Sequence, residues 1–216
     1  MPEDFPRTTE TKRGKPGDPL NVALAGRPHE IAHALEAAGW VPADRRTVLR
    51  MVRSGAAFLL GRPYRHMPVS NLYLYGRRQD FAYEKPAGRT VRRRHHVRLW
   101  RSSLRLDDGR PIYIGAATYD MGLHPTDFMH RISPDVDKER DMIVDDLAGA
   151  GQAAAMARHP GLGAVSNGRN GEGDPYFTDG HIIFVALNRI ELKDQARPDA
   201  GPSAGKGDLR RLPPAR

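Results

Sequence analysis

The sequence predicts an α+β fold in which a mainly antiparallel sheet of about five to six strands carries three main helices. Three observations predict it. Two helical segments follow a first short strand, then four segments alternate at hairpin spacing, and one more helix precedes a last strand. That last strand, Ile182–Leu187, is a continuous apolar run, which is typical of a strand buried on both faces.

Each predicted helix has its own signals. The first begins at Pro28, carries apolar residues at helical spacing and stops at Gly39. The second covers residues 44–60, with apolar residues on one broad side. The third has Ser133 as its cap and Pro134 in its first turn.

The four central strands follow from alternation of side chains with period two. They cover residues 70–75, 79–84, 92–101 and 112–119, and Asp107-Asp108-Gly109 is a hairpin turn between the last two. Residues 161–174 are rich in Gly and Asn, so we expect a mobile loop there.

The sequence divides into three parts. Residues 1–17 combine proline, glycine and charge, which indicates an extended arm or linker. Residues 18–194 carry the periodic segments of a single α+β domain. Residues 195–216 are rich in Pro, Gly and Arg, so we expect a disordered basic tail.

Composition limits the kind of partner. The 34 Lys and Arg residues exceed the 26 Asp and Glu residues, for a formal net charge of +8. This excess favours anionic partners such as phosphates, nucleic acid or a lipid surface. The absence of cysteine excludes disulfides and thiolate chemistry. No apolar run approaches the roughly 20 residues of a membrane span, so we expect a cytoplasmic protein, with a peripheral membrane position as the alternative.

The most unusual stretch is Arg92-Arg93-Arg94-His95-His96-Val97-Arg98-Leu99-Trp100. Alternation places Val97 and Leu99 on one face of a strand, with His95, and makes them a natural core pair. His96, Arg98 and Trp100 then share the other face. An imidazole, a guanidinium and an aromatic ring on one face indicate a ligand-facing surface. The alternative is a solvated sheet face with Trp100 half buried.

The predicted site extends beyond this strand. The predicted ligand-binding residues are cationic or aromatic, namely Arg77, Arg94, His95, His96, Arg98, Trp100, Arg131 and Arg140. The candidate catalytic residues offer imidazole and carboxylate groups for acid–base work, namely His96, His130 and Asp135. We expect residues 130–141 to fold against the strand of residues 92–101, here called the Arg/His strand, and complete one site. The acidic residues there would otherwise serve only the start of their own helix. The sequence identifies no cofactor, and it leaves open whether a metal is bound.

Several blocks of the sequence resemble one family, the LssY C-terminal domain family. The blocks are Asp18–Leu24, Ala37–Trp40, Pro68–Asp80, Arg94–Trp100, His130–Ile132 and Asp135–Arg140. The resemblance covers roughly residues 5–192 and implies no reaction, because the family has none assigned. Its members often form the C-terminal part of longer membrane proteins, which implies contact with a membrane-protein partner.

Two functions fit these residues best. The first is binding of an anionic, phosphate-bearing small molecule or lipid head group through the Arg/His/Trp face. The alternative is a phosphoester hydrolase that uses His and Asp/Glu residues, with or without a divalent metal. The sequence has no HExxH motif, P-loop or GxSxG elbow, and His95 and His96 point to opposite faces of their strand. Nucleic-acid binding ranks third, because tyrosines lie near arginines but no RRM, KH or helix-turn-helix signature is present.

Overall fold

The structure is a computed structural model, and it describes residues 6–43, 71–87, 93–123, 130–161, 163–171 and 173–190. The fold of these residues is mostly β. They form sheets of four, eight and two strands and contain two helices. The predicted α+β arrangement, with three helices on one sheet of about five to six strands, is therefore wrong. The predicted helix at residues 44–60 lies outside the described residues.

The elements have the following bounds. The strands are β1 (Thr8–Glu10), β2 (Pro16–Pro19), β3 (Val22–Ala25), β4 (Val41–Pro42), β5 (Tyr73–Leu74), β6 (Arg77–Arg78), β7 (Phe81–Pro86), β8 (Arg94–Arg105), β9 (Pro111–Leu123), β10 (His130–Ile132), β11 (Ala153–Pro160), β12 (Val165–Arg169), β13 (Pro175–Thr178) and β14 (His181–Leu187). The helices are α1 (Pro28–Ala37) and α2 (Val136–Gly149).

The largest sheet has the strand order β11-β14-β3-β9-β8-β7-β4. Its neighbouring strands are antiparallel except β3 and β14, which are parallel. Strand β10 also pairs with β9, beyond the segment of β9 that pairs with β3. The long strands β8 and β9 therefore form the middle of the sheet.

Both faces of this sheet are covered. On one face α1 and α2 pack over a core that includes Leu35, Val97, Leu99 and Ile143. On the other face a second core joins Trp100 and other apolar residues of the large sheet to Leu74 of β5. Strand β5 belongs to the four-stranded sheet β2-β1-β5-β6. Strand β8 thus lies between a helical layer and a second sheet.

Helix α2 starts later than the sequence predicts. Its cap is Asp135, whose side chain accepts a hydrogen bond from the backbone N–H of Lys138 at 3.3 Å. Ser133 and Pro134 precede the helix, so the prediction of Ser133 as the cap is wrong. Inside the helix, Ile143 and Leu147 are fully buried, which confirms the predicted apolar stripe.

The N-terminal segment forms two short strands. Strand β1 pairs with both β2 and β5, and Thr9 in its middle is fully buried. The division of the chain into arm, domain and tail stays a prediction, and residues 195–216 lie outside the described residues. In the described part of the chain, no helix has both the length and the apolar character needed to cross a membrane.

Candidate functional site

Three charged or titratable side chains lie in a row on one face of β8. Arg94, His96 and Arg98 are only 4%, 2% and 6% exposed. We call these three residues the buried row. Because Val97 and Leu99 lie in the helix-side core and Trp100 in the opposite core, the predicted division of faces is confirmed. The face is buried, however, and is not the solvated surface that was the alternative.

The neighbouring strands supply carboxylates to this row. In the strand register, His96 lies opposite Glu84 of β7, and Arg94 lies opposite Asp120 of β9. Glu84 and Asp120 are 2% and 7% exposed. Residues that face each other across an antiparallel pair have side chains close enough to interact. The pairing of the strands therefore places negative charge on both sides of the row.

Arg94 is held along one part of its guanidinium group. Its Nη1 donates to Glu84 Oε2 at 3.2 Å. Its Nε lies 3.5 Å from Asp120 Oδ2 and makes no directed hydrogen bond to a described residue. The Nε and Nη2 groups form an edge that can donate two parallel hydrogen bonds.

His96 lies beside this edge and is buried. Its Nε2 is 2.9 Å from Asp120 Oδ2. The angle at Nε2 falls outside that of a directed hydrogen bond, although Asp120 is close enough to stabilise a proton there, and Nδ1 has no hydrogen-bond partner among the described residues. Burial lowers the pKa of His96 to about 4, although the nearby Asp120 carboxylate acts to raise it. The imidazole is therefore neutral at pH 7.

The other end of the row joins three parts of the fold. Arg98 Nη1 donates to Asp18 Oδ2 at 3.3 Å, and Asn170 Nδ2 donates to Asp18 Oδ1 at 3.3 Å. Burial raises the pKa of Asp18, which the charge of Arg98 only partly offsets. Asp18 thus connects β2, β8 and the turn after β12.

Trp100 is fully buried, and its Nε1 donates to the backbone carbonyl of Arg77 at 3.2 Å.

A second histidine–carboxylate pair lies on the helix side of β8. His95 Nδ1 is 2.8 Å from Oε2 of Glu139 on α2, and its ring centroid is 4.7 Å from that of Tyr119. The His95 side chain is 20% exposed. Burial raises the pKa of Glu139, against the opposing effect of its hydrogen bond to His95. Residues 130–141 therefore do contact the Arg/His strand, but through His95 and away from the buried row.

The remaining predicted residues have other surroundings. Arg77 pairs with both carboxylate oxygens of Asp80, at 2.8 and 2.7 Å. Arg140 donates to both carboxylate oxygens of Asp179, at 2.8 and 3.2 Å, and so ties α2 to the turn before β14. Asp135 caps α2. The backbones of two further residues form part of β10, while their side chains lie outside what the structure describes, namely His130 and Arg131.

The structure adds four polar residues to those predicted for the site, namely Asp18, Glu84, Asp120 and Asn170. Asp18 and Asn170 are distant from β8 in the chain, and no local pattern connects them to it. Glu84 could have been found, because it alternates with Phe81 and Tyr83 on a strand predicted next to β8. Within the described ranges, no group of three or more His, Asp or Glu residues is placed to hold a metal ion.

The buried row and the carboxylates beside it therefore place hydrogen-bond donors, a neutral imidazole and negative charge in one protected place.

Comparison with known proteins gives one match. No curated protein and no solved structure matches the chain. Residues 3–182 of the 216-residue chain match the family described as LssY C-terminus. This match covers most of the chain and includes all three residues of the buried row, so the chain belongs to the LssY C-terminal family.

Proposed function

We propose that this chain binds an anionic, phosphate-bearing small molecule or lipid head group at Arg94 and His96. One observation carries the proposal. The Nε atom of Arg94 and both ring nitrogens of His96 are buried without a directed hydrogen bond to any described residue. These three atoms belong to two residues on the same face of one strand.

Such an arrangement is costly in an empty protein. A buried donor or acceptor without a partner costs about 1–3 kcal/mol, and native proteins keep few of them. Oxygen atoms of a bound anion would remove this cost, because Nε and Nη2 of Arg94 can each donate to a separate oxygen. The neutral ring of His96 supplies one further N–H donor.

The shape of these donors favours a tetrahedral oxyanion. A phosphate group has two oxygens for the edge of Arg94 and a third for His96. A planar carboxylate has only two oxygens in total. The net charge of +8 acts in the same direction, because it raises the local concentration of anions.

The carboxylates around the row hold the arginine in place. Glu84 contacts Arg94 at Nη1, and Asp120 Oδ2 lies 3.5 Å from Nε, beside the edge at which the anion would bind. An arginine fixed in this way loses little conformational freedom when a ligand binds, and this favours affinity. Glu84 and Asp120 therefore orient the donors of the row.

Titration calorimetry on the full chain tests the proposal. The probes are inorganic phosphate, glycerol 3-phosphate, dimethyl phosphate and vesicles that contain phosphatidic acid. We expect heat of binding with at least one phosphate probe, and weaker binding for Arg94→Lys because lysine lacks the planar edge. Binding to vesicles but not to the small esters would identify a lipid head group as the source.

Arg101→Lys is the matched control. Arg101 lies on the same strand, is exposed and faces away from the row. Equal affinity of the parent and Arg94→Lys for every probe would refute the proposal. So would an equal loss of affinity in Arg94→Lys and Arg101→Lys, because this would indicate nonspecific attraction to positive charge.

The close approach of His96 and Asp120 favours a second candidate, a phosphoester hydrolase. A neutral imidazole 2.9 Å from a carboxylate can accept a proton from water and stay oriented while it does so. Hydrolysis of p-nitrophenyl phosphate and bis-p-nitrophenyl phosphate tests this. A hydrolase would lose turnover in His96→Gln but keep phosphate affinity. Absence of hydrolysis by the parent would leave binding as the function.

A further inference from the structure

We infer that β11 is the edge through which two copies of this chain pair, so that their large sheets join into one continuous sheet. Strand β11 ends the strand order of the large sheet, and within the described ranges it pairs only with β14. Five consecutive residues of β11, from Ala154 to Arg158, are exposed. Met156, in the middle of them, is 53% exposed.

An edge strand of this kind is a template for further pairing. It presents backbone N–H and C=O groups that a neighbouring strand can bind. Proteins usually block such edges with charge, proline or bulges. In β11 none of these devices blocks the middle of the strand. The proline is the last residue, and the irregularity in the pairing with β14 lies at the first residues. The only full charge is Arg158. Arg158 is already paired with Asp179 at 2.5 Å.

Neither layer of the fold covers the middle of this strand, from Ala154 to Arg158, although Ala153 at its start packs against the helix-side core. Met156 lies opposite Val185, which belongs to the helix-side core, and Ala157 lies opposite Phe184, which packs against the other core. Met156 and Ala157 therefore point to different faces of the sheet, yet both are exposed. The middle of β11 therefore extends beyond the layers that pack on the large sheet.

The composition of β11 points to a second copy as the partner. A two-fold axis at Met156 would place the two Met156 side chains together, Ala155 opposite Ala157, and Ala154 opposite Arg158. No like charges face each other in this register, and the half-exposed methionines shield one another. An unrelated peptide strand gains its specificity from pockets for its side chains, and a run of exposed alanines offers none.

The mass of the full chain in solution tests this inference. Sedimentation velocity and light scattering should show a dimer that dissociates on dilution. Met156→Lys would place two lysines directly opposite each other and should give a monomer. Ser103→Lys adds the same charge at an exposed position of β8 and should leave the dimer intact. Circular dichroism melts would confirm that both variants fold.

A crosslinking experiment locates the axis. The chain has no cysteine, so Met156→Cys introduces a single thiol. Side chains directly opposite each other in an antiparallel pair are near disulfide distance. Mild oxidation should therefore crosslink Met156→Cys, whereas Ser103→Cys should stay uncrosslinked at the same concentration.

Three results would overturn the inference. They are a monomeric parent at all concentrations, a dimer that Met156→Lys leaves unchanged, and equal crosslinking of Met156→Cys and Ser103→Cys. A monomer whose β11 amides resist hydrogen exchange would show that another segment of the same chain covers the edge, which also excludes the second copy.

Discussion

Nε2 of His96 lies 2.9 Å from Oδ2 of Asp120, yet burial keeps the pKa of this histidine at about 4. A nearby carboxylate ordinarily favours the charged imidazole, and burial disfavours it. At His96 burial has the larger effect, because the side chain is 2% exposed and two arginines lie on the same face of its strand. The ring is therefore a neutral donor and acceptor inside a strongly charged group of side chains.

This pKa predicts how stability depends on pH. The unfolded chain binds a proton at His96 near its ordinary pKa of 6.5, whereas the folded chain binds it only near pH 4. Stability should therefore be fully present above pH 6.5 and fall as the pH drops towards 4, by at most about 3 kcal/mol from this group. Urea denaturation of the parent and of His96→Gln at several pH values measures the difference.

The free-energy difference between parent and His96→Gln should increase from pH 4 to pH 6.5. A His96 ring that titrates near its ordinary pKa by NMR would contradict the account.

The pair of Arg98 and Asp18 should behave as a coupled unit. Arg98→Met removes the positive charge from a buried carboxylate, and we expect a loss of about 3–5 kcal/mol at pH 7. Because burial already raises the pKa of Asp18, the lone carboxyl group should become protonated on acidification, and the loss should then shrink. The double variant Asp18→Asn with Arg98→Met should lose less than the sum of the single variants. Additive losses in denaturant unfolding would contradict the coupling.

Glu139 on α2 should be required for the position of His95. Glu139→Ala removes the carboxylate that His95 Nδ1 contacts at 2.8 Å and leaves a cavity at a 4% exposed position. We expect a loss of about 1–3 kcal/mol. Asp145→Ala, at an exposed position of the same helix, should change stability by no more than about 0.5 kcal/mol. Similar losses in the two variants would show that His95 and Glu139 contribute nothing specific.

Two glycines should respond to alanine in opposite ways. A Cβ at Gly115 of β9 would lie 2.6 Å from Leu99 Cδ2 and 2.7 Å from the carbonyl oxygen of Arg98. Gly115→Ala should therefore destabilise by about 1–3 kcal/mol. A Cβ at Gly149, the last residue of α2, meets nothing within 4 Å, so Gly149→Ala should stabilise by about 0.4–1 kcal/mol. Thermal melts should show a lower melting temperature for Gly115→Ala and a higher one for Gly149→Ala. A Gly115→Ala variant as stable as the parent would contradict the close packing of β8 and β9.

Local sequence patterns correctly predicted the features that depend on neighbouring residues, such as helix ends and the faces of a strand. Helix α1 has the predicted start at Pro28 and ends just before Gly39, whose positive φ of 82° suits glycine. Period-two alternation correctly separated the two faces of β8, because this period is a property of every strand. The family assignment rested on longer blocks and is confirmed.

The errors arose where distant pairing outweighs local preference. Residues 153–160 were not predicted as a strand, yet they form β11 because β14 offers a strand to pair with. Residues 165–169, inside the predicted mobile loop, form β12 by pairing with β13. Pro16 and Pro19 fall in β2, which no alternating pattern predicted; β2 is an edge strand, where a missing N–H is tolerated.

The site was predictable only in part, for the same reason. Arg94, His96 and Arg98 stand out in the sequence, but they are buried, and they contact residues of other strands, such as Asp120 of β9 and Asp18 of β2. Asp18 reaches Arg98 from eighty positions away in the chain. Single-sequence patterns carry no information on such long-range contacts.

NMR observation of arginine Nε–H and histidine ring signals during titration with dimethyl phosphate tests the central claim most directly. This probe keeps one negative charge across the working pH range, so its own titration does not interfere. Binding at Arg94 and His96 predicts saturable shifts of the Arg94 Nε–H and His96 ring signals, while the Arg140 signal stays in place. The Arg94 signal is assigned as the one that disappears in Arg94→Lys. Shifts confined to exposed arginines such as Arg78 and Arg101, with Arg94 and His96 unchanged at saturation, would contradict it.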